Sequence, residues 1–221
     1  GVDWGKFLRG SSKEESNEIF DLFVDAGGNF IDTANNYQNG TSEKYVGEFI
    51  ASERQKFVLA TKYTLTTNPN DPNASGNHRK NLLQSVDASL ERLDTEYIDL
   101  LWVHAWDYMT PIEELIRSLD DVIRSGKVLY VGISDAPAWV VAKANTMSEL
   151  RGWSPFIGLQ IMYSLLERTP ERELLPMARH LNIGVTAWSP LGGGVLSGKY
   201  NKEIQEQKRF EELTSQFSRK N

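Results

Sequence analysis

The chain has 221 residues, no cysteine, and a formal net charge of −6 from 24 Lys+Arg against 30 Asp+Glu. Hydrophobic residues make up 40% and aromatics 10%, the proportions of a globular protein of one or two domains. Without cysteine there is no disulfide framework, thiolate metal site, iron–sulfur ligation or cysteine nucleophile; the mild acidity disfavours nucleic acid as main partner, because phosphate binding needs clustered Lys and Arg.

No apolar run approaches the ~18–20 residues that span a bilayer. The opening GVDWGKFLRG has neither the basic stretch nor the apolar stretch of a signal peptide. A cytoplasmic, non-membrane protein is therefore expected, and the lack of cysteine fits a reducing compartment.

The first element, residues 16–26, places Ile19, Phe20, Phe23 and Val24 at helical spacing, and Gly27–Gly28 ends it. Residues 29–32 (NFID) and 57–61 (FVLAT) are predicted strands. A polar Pro/Asn/Gly loop, residues 68–77, follows the second. Residues 82–93 are a helix with Leu82, Val86, Leu90 and Leu93 on one face, and residues 98–104 (IDLLWVH) a third strand. The helix at 111–124 is expected to start with Thr110 as capping residue and Pro111 at the first helical position. Strands at 128–134, 156–161 and 184–188 alternate with helices at 137–150 and 170–180; residues 201–221 read as a polar tail or loop.

The strands are mostly continuous apolar runs, which suits parallel strands covered on both faces. Their centres near residues 30, 59, 101, 131, 158 and 186 are spaced by about 29, 42, 30, 27 and 28 residues. Such a βα repeat builds either an open doubly wound sheet or a (β/α)8 barrel. The glycine fingerprint of a dinucleotide-binding doubly wound fold is missing after the first strand, which favours the barrel. A barrel of this kind takes ~250 residues. Six strands are visible, so residues 1–200 are expected to form one barrel domain, incomplete at both ends, from a longer chain.

Barrel enzymes assemble their sites at the C-terminal ends of the strands. Read in order, those ends deliver Asp32, then Lys62, His104, Ser134–Asp135, Gln160 and Trp188–Ser189. Asp32, Tyr37, Lys62 and His104 form a chemical set. A tyrosine, ordinarily of pKa ~10, becomes a usable acid if an ammonium stabilises its phenolate. Lys62, held by Asp32, is expected to lower Tyr37 in this way, and His104 to orient a substrate oxygen. That set suits protonation of a carbonyl oxygen while a hydride reaches its carbon, the hydride coming from an organic cofactor, most simply a nicotinamide. Asp99, at the opposite rim, reads as structural. Residues 193–199 (GGVLSGK) approach a phosphate-binding loop, but Tyr200 stands where the metal-binding Ser or Thr belongs.

With these residues in place the sequence resembles the aldo-keto reductase superfamily. The matching runs are GGNFIDTANNYQNGTSEKYVGEFI, ATK, DLLWVH, GKVLYVGIS, LQIMYSLLER and WSPLGGGVLSGKY, in the family's order. The resemblance implies Asp32, Tyr37, Lys62 and His104 as catalytic tetrad with Tyr37 as acid and base. It implies a nicotinamide cofactor, NADPH rather than NADH, bound near Asp32, with its carboxamide held by Ser134, Asp135 and Gln160 and its ring stacked on Tyr163. The pyrophosphate would be wrapped by Trp188, Ser189, Pro190, Leu191, Gly192, Gly193 and Lys199. Two positions depart from the family: Asp135 replaces the usual Asn and has no N–H to donate, and Gln38 stands where Gly is common. Within the family the sequence resembles the aryl-alcohol dehydrogenase and norsolorinate reductase-like branch, which makes Trp4, Tyr63 and Trp106 candidate walls of an aromatic pocket. No metal is implied. Two other functions fit the same residues: a cofactor-binding regulatory subunit similar to potassium-channel β subunits, and a Schiff-base aldolase with Lys62 as nucleophile.

Overall fold

In the computed structural model, residues 11–198 are described. Trp4, Lys199, and residues 201–221 therefore lie outside the described residues. Six parallel strands, β1 (Phe30–Asp32), β2 (Val58–Tyr63), β3 (Ile98–Val103), β4 (Val128–Ser134), β5 (Phe156–Met162) and β6 (Gly184–Trp188), pair strictly in chain order. Helices α1 (Lys13–Asp25), α2 (Thr41–Ile50), α3 (Arg79–Leu93), α4 (Ile112–Arg124), α5 (Ala138–Arg151) and α6 (Leu174–His180) complete the alternation. Consecutive parallel neighbours joined by helical crossovers form the curled sheet of an incomplete (β/α)8 barrel.

The expected elements are present, with instructive differences. Helix α1 begins earlier than expected because Ser12 and Glu15 form a reciprocal capping box. Helix α2 was not among the expected helices, since its sequence TSEKYVGEFI lacks a clean apolar stripe; Gly47 lets it approach α3 so closely that a Cβ there would stand 2.4 Å from the Leu93 carbonyl oxygen. Thr110 does not cap α4. Pro111 is the capping position, and the Thr110 hydroxyl instead donates to Asp107 Oδ2 at 2.7 Å. The stretch at 170–180 is split into a turn of 3₁₀ helix at Thr169–Glu171 and the short α6. Among the described residues, no helix is long and apolar enough to cross a membrane.

Side chains alternate across each strand, and this sorts the core into two parts. Leu59, Tyr63, Leu101, Val103, Val131, Ile133, Leu159 and Ile161 point toward the helices and join the main apolar core. Ala60, Leu100 and Trp102 form a separate cluster on the concave face. The Trp102 indole lies across β4 and β5: a Cβ on Gly132 would come within 2.4 Å of it and one on Gly158 within 2.8 Å. Both positions need glycine because the indole occupies the space of a side chain. At the opposite rim from the strand C-termini, Arg54 Nη2 donates to Asp99 Oδ2 at 2.6 Å, which also accepts the Leu59 amide at 3.0 Å, so Asp99 ties β3 to β2.

Gly132→Ala should destabilise the fold by about 1–3 kcal/mol, the cost of overpacking a tight core. Urea denaturation of Gly132→Ala, Trp102→Phe and the double variant would measure this. A strongly non-additive cycle is expected, and strict additivity would show that the indole is not what confines Gly132.

Candidate active site

The same alternation that sends Tyr63 outward brings Asp32, Lys62, His104, Ser134 and Gln160 to the concave face that also carries Trp102. Lys62 pairs in register with Trp102, and Ser134 with Gln160. Lys62 is 1% exposed and its Nζ donates to Asp32 Oδ2 at 2.5 Å and to the Thr33 carbonyl at 2.8 Å. Gln160 Nε2 donates to the same Asp32 oxygen at 3.3 Å. Asp32 thus gathers β1, β2 and β5 at one point.

Tyr37 sits on a 3₁₀ turn, Tyr37–Gly40, that leaves β1. Gln38 (φ 49°) and Asn39 (φ 55°) are both left-handed there, which accounts for glycine being favourable at position 38: a non-glycine residue in this region is strained by roughly 1–2 kcal/mol. The turn brings the Tyr37 ring to 5.1 Å from Lys62 Nζ and 5.8 Å from the His104 ring, edge to face at 76°. All four residues of the expected tetrad therefore meet.

Their electrostatics differ from the expectation in one respect. The Tyr37 phenol is raised above its ordinary value, first by burial and then by the Asp32 and Asp135 carboxylates. Lys62 does not lower it in this state: its ammonium is committed to Asp32 and Thr33. Burial pulls Lys62 itself down, against the raising effect of Asp32. Burial also pushes His104 down to about 3, helped by the Lys62 charge, so its imidazole is neutral at physiological pH. His104 Nδ1 has no hydrogen-bond partner among the described residues.

The remaining expected residues fall into two groups. Ser134 and Gln160 lie together at the ends of β4 and β5. Asp135 is left-handed (φ 43°), and its Oδ1 accepts the Trp188 indole N–H at 3.1 Å, which gives the carboxylate a role that asparagine would share only through its oxygen. Burial raises Asp135 above the usual carboxylate range. Tyr163 is half-buried and its hydroxyl donates to Glu171 Oε1 at 2.7 Å. After β6 the chain turns left-handed at Ser189 and continues through Pro190 and Leu191 into a glycine-rich turn, Gly192–Ser197. Gly192, Gly193 and Gly194 all have positive φ, and the Ser189 Oγ accepts the Gly193 amide at 3.0 Å.

Of the pocket-wall candidates, Tyr63 is a correction. It is 1% exposed, packs in the helix-side core, and donates its hydroxyl to the Asn77 carbonyl at 3.2 Å. Being adjacent to inward-facing Lys62, it faces the other way. Trp106, 8% exposed, lines a cleft of about 730 Å³ together with Thr64, Leu65, Met109 and Pro111. That cleft begins one residue past His104 and two past Lys62. Asn77, the last residue of the polar loop, is completely buried and bonded to Thr64 and Ala105, just past the ends of β2 and β3; a polar residue in a polar loop gives no sign of this.

Fold and site define an α/β barrel-type chain with an Asp–Tyr–Lys–His cluster at the C-terminal ends of its strands. Residues 2–218 match the aldo/keto reductase family, and the chain belongs to it. It is 42% identical over 217 residues to a putative aryl-alcohol dehydrogenase of Saccharomyces cerevisiae, covering 95% of this chain and 57% of that protein. It is 45% identical over 201 residues to a norsolorinic acid reductase of Emericella nidulans (88% and 52%) and 44% identical over 201 residues to an aryl-alcohol dehydrogenase of Pestalotiopsis microspora (88% and 52%). The chain spans about half the length of the curated relatives it matches.

A base whose folded pKa is depressed makes folding less favourable as pH falls below its unfolded pKa. His104, at 6.5 unfolded and about 3 folded, should therefore remove about 1.4 kcal/mol of stability per pH unit as pH falls from 6.5. Denaturant titrations at pH 6.5 and 5 should show a steeper loss for the wild type than for His104→Gln. Equal slopes would mean that the imidazole is solvated and able to charge.

Proposed function

We propose that this chain provides the catalytic half of a nicotinamide-dependent carbonyl reductase, converting aldehydes or ketones, aryl aldehydes among them, to alcohols. The single observation that supports this best is the convergence of Tyr37 and His104 over the buried Lys62 ammonium and its partner Asp32.

Ser134 and Gln160 offer a hydroxyl and an amide side by side, the donor and acceptor types that a nicotinamide carboxamide requires. The glycine turn after β6 leaves open space where a side chain on Gly193 would stand, so backbone could approach a pyrophosphate closely. The residues present thus fit a dinucleotide, and NADPH is the expected form. Asp135, held by Trp188, would fix the indole rather than donate to the carboxamide, and Tyr163 would present its ring while Glu171 anchors its hydroxyl. When bound, the cofactor supplies hydride to the carbonyl carbon.

The protein's own residues handle the oxygen. The Tyr37 O–H donates to the carbonyl oxygen and gives up its proton as negative charge develops there. Its raised pKa keeps the donor protonated throughout the neutral range. The resulting phenolate stands beside the Lys62 ammonium, whose charge Asp32 sustains within the buried layer. Neutral His104 can hold the substrate oxygen by a hydrogen bond without competing as a proton source. Trp106 and the cleft beside it would receive an aromatic substrate. The pairing of Lys62 with Asp32 keeps the amine occupied, which argues against a Schiff-base nucleophile.

Tyr37→Phe in the intact protein should lower kcat for NADPH-dependent reduction of an aromatic aldehyde by roughly 10²–10⁴-fold, while NADPH still quenches tryptophan fluorescence. Failure of the wild type to consume NADPH with any of a broad panel of aldehydes and ketones would sink the proposed activity.

A further inference from the structure

We propose that Asn77 is a positioning residue for the site: its amide clamps the ends of β2 and β3 together and so fixes Lys62 relative to His104. The inference rests on the carbonyl-reductase reading for its catalytic consequence, though its geometry stands apart from it.

Asn77 is 0% exposed, and its side chain is fully engaged. Nδ2 donates to Thr64 Oγ1 at 3.0 Å and to the Ala105 carbonyl at 2.9 Å, and Oδ1 accepts the Asp107 amide at 2.8 Å. Its backbone N–H donates to Asp107 Oδ2 at 2.7 Å, and its carbonyl accepts the Tyr63 hydroxyl. Thr64 lies two residues after Lys62, and Ala105 directly follows His104. One buried amide therefore bridges the chain on either side of the two catalytic strand ends.

Thr64 shows why a clamp is needed. It is a buried, β-branched residue at φ 111°, a conformation that costs of order 1–3 kcal/mol and persists only where its surroundings over-determine it. Its hydroxyl is held by Asn77, and its carbonyl accepts the Gly76 amide at 2.8 Å. The strained turn aims the chain away from the concave face immediately after Lys62 and Tyr63. The Tyr63 carbonyl accepts the His104 amide at 3.0 Å, so relaxation at Thr64 would be felt at both Lys62 and His104. Asp107, accepting from Asn77, Met109 and Thr110, completes the frame on the β3 side.

The test compares the intact wild-type protein with Asn77→Ser, which shortens the amide, and Thr64→Val, which keeps the shape but deletes the accepting hydroxyl. With NADPH and benzaldehyde, Asn77→Ser should lose roughly tenfold or more in kcat, with KM changed less than about threefold, because small misplacement of reacting groups is costly. NADPH affinity, read by fluorescence quenching, should hold, since Ser134 and Gln160 sit on β4 and β5. A merely structural residue would lower the melting temperature and leave kcat per folded molecule intact, and that result overturns the proposal. If Asn77→Ser does not fold, Thr64→Val decides: reduced kcat supports the clamp and wild-type kcat overturns it. If the wild type turns over no carbonyl compound, the functional reading fails. The clamp is then judged by hydrogen exchange, where Asn77→Ser should speed exchange of the His104 amide and unchanged protection overturns it.

Discussion

A lysine ammonium at 1% exposure is tolerable only beside a carboxylate and hydrogen-bond acceptors, because desolvation of an unpaired charge costs several kcal/mol. Lys62 has both, in Asp32 and the Thr33 carbonyl. Much else in the site follows from this pair. Asp32 ends β1 pointing inward, and five residues later the chain enters the 3₁₀ turn Tyr37–Gly40, left-handed at Gln38 and Asn39. That turn delivers Tyr37 over the ammonium. His104, one strand further, is kept neutral partly by the same positive charge. Removing Asp32 would strand a buried ammonium, whereas Asp32 itself is partly exposed, so the dependence runs mainly from Lys62 to Asp32.

The concave face holds an apolar element beside the polar one. Trp102 stands on β3 in register with Lys62 and spreads its indole over Gly132 and Gly158. Small residues on β4 and β5 are thus traded for one large ring, packed with Ala60 and Leu100 on the face that also carries the polar side chains.

The order of strands and helices, and the meeting of Asp32, Tyr37, Lys62 and His104, were legible in the sequence, because βα spacing is strongly periodic and polar residues ending apolar runs stand out. What was not legible has physical causes. Tyr63 follows Lys62 directly, so strand alternation assigns it to the opposite face from the site, where its ring joins the helix-side core. Helix α2 was hidden because its packing depends on Gly47 approaching a neighbouring carbonyl, which no periodicity reveals. Thr110 had the composition of a cap, yet Asp107 claims its hydroxyl. The direction of the Tyr37 shift depends on burial, and burial is a property of the assembled layers. Asn77 looked like any polar loop residue, since only the fold brings Thr64, Ala105 and Asp107 around it.

Strand β2 shows how the two faces of the sheet cooperate. While Lys62 faces the concave side, its neighbour Thr61 faces α2 and donates its hydroxyl at 2.6 Å to Glu43, which is 0% exposed and also bound by Arg92 of α3 at 2.6 Å. A buried carboxylate is thereby neutralised on the helix side, one residue from the Lys62–Asp32 pair. Each pair has its own geometric demands, and together they leave β2 little freedom to slide or rotate between β1 and β3. The close α2–α3 approach at Gly47 holds Glu43 and Arg92 in the same frame. The position of the Lys62 ammonium is therefore set from outside the barrel as much as from within it, by a polar contact that never touches the site.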